Sequence, residues 1–136
     1  MSDDDVMIFC MRNGEPYQFE RKLAEEIFHS GIVDDEYTKH YDIRYPDGGA
    51  NAVWGDNETL DTISFYHCGG PTFFDKVWEF ADRTGSMIVW IGWGVPRAVT
   101  RSDMLQHLPK EMENEEPEPF VVLNGKELAE IIVSTS

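Results

Sequence analysis

The chain has no apolar run approaching the roughly 18 to 20 residues that span a bilayer. Its first residues, Met1-Ser2-Asp3-Asp4-Asp5, are acidic where a secretory leader is basic. Both features predict a cytoplasmic chain that does not enter a membrane. Cysteine is scarce. Cys10 and Cys68, the only two, each lie inside an apolar run with strand character, so buried reduced thiols are expected rather than a disulfide framework. Basic residues are scarce as well: 11 Lys and Arg stand against 26 Asp and Glu, for a formal net charge of −15. Only Arg21-Lys22 forms a basic pair. Neutralising phosphates takes clustered Lys and Arg, so nucleic acid and anionic membrane surfaces are poor partners for this chain. A basic protein is the partner such a charge attracts. The same acidity also keeps a protein soluble with no partner at all.

Sequence motifs for catalysis are missing too. There is no Gly-x-Ser-x-Gly, no dinucleotide fingerprint and no phosphate-cradling loop. His40 and Asp42 sit two apart on one predicted strand face, with His29, His67 and His107 elsewhere, but no His-x-x-x-His supports a metal site. Asp34-Asp35-Glu36 lacks the spacing and glycine of a calcium loop. No cofactor and no metal are expected.

What is present reads as one domain over residues 1–136, with an acidic tail (1–5) and an acidic, Pro/Glu-rich loop (110–119). Val6 to Arg12 is a strand followed by Asn13-Gly14, a two-residue hairpin turn, and then either a return strand from Glu15 to Phe19 or a helix that starts at Pro16. Glu20 to Ser30 has helical periodicity, and Gly31 stands where a left-handed cap would end it. Ile32 to Lys39 reads as a loop. His40 to Tyr45, the turn Pro46-Asp47-Gly48-Gly49, and Ala50 to Trp54 form a second hairpin. A strand from Asp61 to Cys68 alternates Ile63, Phe65 and His67 against Thr62, Ser64 and Tyr66. A helix is predicted over Phe73 to Thr84, with Thr72 and Asp75 at capping-box spacing. Met87 to Ile91 reads as a central strand covered on both faces. Arg97 to Thr100, a helix opened by Ser102 or Asp103, the strand Phe120 to Leu123 and a last helix capped by Asn124 complete the chain. The expected class is α+β: a mainly antiparallel sheet of about five to seven strands with two to four helices largely on one face.

Candidate functional residues fall in two groups. The run His67-Cys68-Gly69-Gly70-Pro71-Thr72 passes from strand to helix, where a helix N-terminus can activate a thiol. Strand alternation sends His67 and Cys68 to opposite faces, with His67 beside Ile63 and Phe65. Trp54 and Trp93 lie at strand ends beside glycines and, with Tyr45, Tyr41 and Tyr66, offer an aromatic surface rimmed by acids. Two functions follow. One is a non-catalytic binding or regulatory protein, inhibitor- or immunity-like, engaging a basic partner. The other is a small enzyme or ligand-binding protein with a pocket near His67, Cys68 and Trp93. Self-association through sheet edges is a further way the chain can be used.

Overall fold

A computed structural model of the chain describes residues 5–34, 40–54, 57–90, 98–108 and 119–135. Trp93, most of the acidic tail, residues 35–39 and nearly all of the Pro/Glu-rich segment lie outside those residues.

Strand β1 (Val6–Arg12) turns at Asn13-Gly14 into β2 (Glu15–Pro16). Both turn residues have positive φ, 52° and 83°, the backbone that matches a two-residue turn to the twist of its strands. The return strand is shorter than expected, because β3 (Phe19–Glu20) leaves β1 and pairs with β7 (Thr59–Leu60). Helix α1 (Arg21–Phe28) runs into a 3-10 turn, His29–Gly31. Gly31 is no left-handed cap. A Cβ there would lie 2.5 Å from Cζ of Tyr45, so its small size serves close packing. The next residues are strand rather than loop: β4 (Ile32–Asp34) pairs with β5 (His40–Tyr45). Pro46-Asp47 then turns the chain into β6 (Gly48–Val53). There follow β8 (Thr62–Gly69), α2 (Pro71–Thr84), β9 (Ser86–Trp90), β10 (Ala98–Val99), a 3-10 turn (Ser102–His107), β11 (Phe120–Val121) and α3 (Gly125–Thr135).

The class is α+β, with a mixed sheet. Among the described residues its order is β11-β10-β9-β1-β8-β6-β5-β4, and β2 adds to β1 to make nine strands. Every pair is antiparallel except β10 with β11. The count exceeds the expected five to seven because β4, in a stretch expected to be loop, joins the sheet, as do the short segments β2, β10 and β11.

Alternation does divide the central strands between two cores. Val6, Ile8 and Cys10 of β1 and Ile88 and Trp90 of β9 join Phe28, Phe73, Val77, Phe80 and Leu128 of the three helices. Met11 and Met87 point the other way and meet Val99, Met104 and Leu108 near the second 3-10 turn. Strand β9 is buried along its whole length, as its unbroken apolar run requires. The helix-side core centres on Phe28, fully buried, whose ring lies 5.3 Å from Phe65, 6.1 Å from Phe80 and 6.2 Å from Phe73. Rings at these separations add to the burial that drives the layer together.

Two glycines separate backbone freedom from close approach. Gly85 ends α2 with φ 68°, its amide donating to the Ala81 carbonyl, and a Cβ would meet only Arg12, at 3.8 Å. Gly125 opens α3 against α2, where a Cβ would lie 2.6 Å from Cα of Asp75. Gly85→Ala is therefore expected to cost about 1 kcal/mol, the left-handed backbone penalty alone. Gly125→Ala should cost more, about 2 to 3 kcal/mol, because two helices must separate. Urea unfolding of both variants checks the order; an equal or smaller loss at Gly125 contradicts the close α2–α3 crossing.

Candidate functional site

The junction between β8 and α2 brings together most of the features that bear on function. Along β8, Ile63 and Phe65 are buried on the helix side, and strict alternation would send His67 after them. It does not. Asn51 of β6 pairs with Tyr66 and Gly49 with Gly69, so two steps on β6 span three on β8. The extra residue is a β-bulge. His67 takes φ 58°, a left-handed conformation that costs a side-chain-bearing residue about 1 to 2 kcal/mol. Its amide is held by the buried Asp5, donating to Oδ1 at 3.1 Å. The bulge reverses the faces that sequence predicts. Cys68 joins Ile63 and Phe65 in the core, while Tyr66 and His67 are both exposed.

The chain leaves Gly69 through Gly70, at φ 96°, into Pro71, the first residue of α2. Proline suits that position because its missing amide would find no partner there in any case. The helix thus begins two residues before the predicted Phe73, and the capping box does not form. Instead Asp47, from the β5–β6 turn, accepts from the Thr72 amide at 3.2 Å and from Thr72 Oγ1 at 2.8 Å. A carboxylate at a helix N-terminus is favoured both by hydrogen bonding and by the helix dipole. The positive end of α2 is thereby already matched by a side chain of this protein. Asp75, freed from capping, backs onto Gly125. At the far end, Asn124 caps α3 as expected, its Oδ1 accepting from the Glu127 amide at 2.9 Å.

Between the junction and α3 lies a cleft of about 590 Å³, within the range of small-ligand sites. Cys68, Pro71 and Phe74 form one wall, and Ala129, Ile132 and Val133 the other. Asp75, Lys126 and Glu130 are its charged members. Cys68 is in no disulfide. His67, the nearest imidazole in sequence, is exposed and does not line the cleft. Among the described residues, no three His, Cys, Asp or Glu side chains converge as a metal site. No helix there is long and apolar enough to cross a membrane.

The aromatic surface expected from Trp54, Tyr45 and their neighbours is not assembled. Trp54 is 4% exposed and stacks on Tyr41 with ring centroids 4.1 Å apart. Parity explains this: Ala50, Ala52 and Trp54 all face the helices, and the glycine after Trp54 does not alter the alternation. Tyr45 packs on the same side, half-buried, while Tyr66 stands on the opposite face, 40% exposed. Of the five candidate residues, then, His67 and Cys68 meet at one junction but face apart, and Trp54 and Tyr45 are packing residues. Trp93 falls outside the described residues. Sequence reasoning missed Asp5, Asp47 and the α3 wall of the cleft. The turn Pro46-Asp47 did mark a local cap, but nothing in it named a helix that starts 24 residues beyond Asp47.

Comparison of the chain with protein-family models, with curated protein sequences and with solved structures gives no match.

Two outcomes follow from this geometry. Asp47→Ala removes the acceptor of two Thr72 hydrogens and should cost about 1 to 2 kcal/mol in urea unfolding. Asp47→Asn, which keeps an acceptor, should cost less. An unchanged midpoint for the alanine variant would show that Asp47 does not hold the junction. The second outcome concerns Tyr45. Its hydroxyl is buried without a hydrogen bond of good geometry among the described residues. Burial raises its pKa above the ordinary 10.0; Ser30 beside it works in the opposite direction, and the Glu79 carboxylate adds to the rise. The folded chain therefore keeps this proton to higher pH than the unfolded chain. Stability is lost as pH rises from about 10 through the folded-state value. Tyr45→Phe should leave stability at neutral pH equal or slightly higher, and should flatten the alkaline decline. A loss above 1 kcal/mol at neutral pH would mean the hydroxyl has a partner.

Proposed function

We propose that this protein acts in the cytoplasm as a non-catalytic binding or regulatory protein, of the inhibitor or immunity kind, that engages a basic protein. The observation that supports the reading is how the charges are placed. Arg21, Arg44, Arg83 and Arg101 are all ion-paired within the chain, to Glu25, Asp42, Glu79, and Asp82 with Asp103. Arg12 lies 4.6 Å over the ring of Tyr17. Five of the eight Lys and Arg among the described residues are thus engaged with the protein's own groups, against a formal net charge of −15 for the whole chain. A field of that sign draws a cationic protein surface and repels phosphates.

A second reading, a small-ligand-binding protein, has the apolar cleft beside Cys68 in its favour. It predicts saturable thermal stabilisation by a small apolar compound, abolished when Cys68 is alkylated.

Affinity capture of the tagged protein from lysate of the source organism, with parallel low-salt and high-salt washes, tests the first reading. The expected result is one basic protein in stoichiometric amount at low salt and shed at high salt, where the screening length falls to a few ångströms. The complex should re-form from the two purified proteins. Retention of no basic protein, or of one indifferent to salt, contradicts the reading.

A further inference from the structure

The proposed reading supplies a basic partner but no docking site. We infer that the cleft between the β8–α2 junction and α3 is that site, and that it takes the apolar face of an amphipathic, cationic helix of the partner.

The walls set the first requirement. Phe74 and Ile132 line the cleft, and Val133 at its edge is 77% exposed, so an occupant must carry apolar groups to gain from entering. The charges set the second. The carboxylates of Asp75 and Glu130 stand in the cleft with no ion pair among the described residues, against the single ammonium of Lys126. Added to a net charge of −15, they favour lysine or arginine beside the apolar groups and disfavour a fatty carboxylate or an acidic peptide.

Backbone chemistry sets the third. An extended peptide gains affinity by adding to an open strand edge. Only Cys68 and Gly69 of β8 line the cleft; Gly69 pairs with Gly49 of β6 and the ladder with β1 ends at Phe65, so the open edge offered there is two residues long. The remaining walls are mainly helices, whose amides beyond the first turn bond internally, with the Thr72 and Glu127 amides already taken by Asp47 and Asn124. An extended chain would leave its own amides and carbonyls unpaired there, at a cost of about 1 to 3 kcal/mol for each one buried. A helix satisfies its backbone internally and presents side chains at i, i+3, i+4 and i+7 to such a groove.

The probe is a fluorescein-labelled peptide of about 18 residues, long enough to form a helix alone, with leucine on one face and lysine on the other. Its controls are the same composition scrambled to break the apolar face, and a leucine/glutamate version. Binding to the full chain is read by fluorescence anisotropy. Ala129→Glu and Val133→Glu place a charge in the cleft, and circular dichroism confirms that each folds. Both variants add negative charge, so a weaker complex cannot arise from lost attraction. The expected result is binding of the leucine/lysine peptide, about tenfold weaker on each variant and about tenfold weaker for the scrambled peptide. Failure of the amphipathic peptide to bind overturns the inference. So does equal binding by the scrambled peptide, or by Ala129→Glu. A basic protein captured from lysate that binds Ala129→Glu undiminished overturns the docking site while leaving the charge-based reading standing. Absence of any basic partner removes both.

Discussion

The hydrogen bond from the His67 amide to the buried carboxylate of Asp5 holds a left-handed residue near the end of β8, and the junction with α2 and α3 is built outward from it. The extra residue at the bulge turns Cys68 toward the helices. From Cys68 the chain reaches Gly70 and Pro71, so the bulge sets where α2 begins. The position of α2 then sets where Asp47 can cap it and where Asp75 meets Gly125, and hence how closely α3 lies against α2. The cleft is the space left where that packing opens toward β8. A bulge is a common means of re-aiming a side chain beside a site; here it re-aims two neighbours in opposite directions.

The strain at His67 is affordable because the rest of the layer is secure. Phe65, Phe73 and Phe80 lie 5.3, 6.2 and 6.1 Å from the Phe28 ring, and Phe65 and Phe73 are 5.2 Å apart. Strand β9 is buried on both faces by two separate cores. A core of this kind supports one residue in an unfavourable backbone region, which costs on the order of 1 to 3 kcal/mol. The open cleft lies at the margin of that core, where α3 contributes Leu128 and Ile132 inward and leaves Val133 outside.

Much of the architecture was legible in the sequence, and the misreadings have physical causes. The Asn13-Gly14 turn, the buried strand around Ile88 and the Asn124 cap are decided by neighbours a few residues away, so local pattern reveals them. The helix N-terminus at Pro71 was misplaced because its cap comes from Asp47, a contact made only once two hairpin strands have folded under it. His67 was assigned to the wrong face because alternation carries no warning of a bulge; its only local hint is the glycine pair that follows. Trp54 was read as exposed from the glycine beside it, when the parity of Ala50 and Ala52 already pointed inward. The cleft itself had no sequence signature. It joins residues from the 68–75 region to residues from 125–133, and only tertiary packing brings these together.

In the proposed reading, acidity and the cleft act on different parts of recognition. Excess carboxylates steer and select by sign over a range of ångströms set by salt; an apolar groove supplies the contact that persists once partners meet. The groove depends on the faces assigned at the end of β8. The most direct measurement is therefore the set of through-space proton contacts of Cys68 and His67 in the isotopically labelled protein. The account predicts contacts from the Cys68 β protons to Phe74 and to the methyl groups of Ile132, with the His67 ring making none to Ile63 or Phe65. A His67 ring in contact with Ile63 and Phe65, together with a Cys68 thiol facing solvent, would show an unbulged strand and contradict the account at its origin.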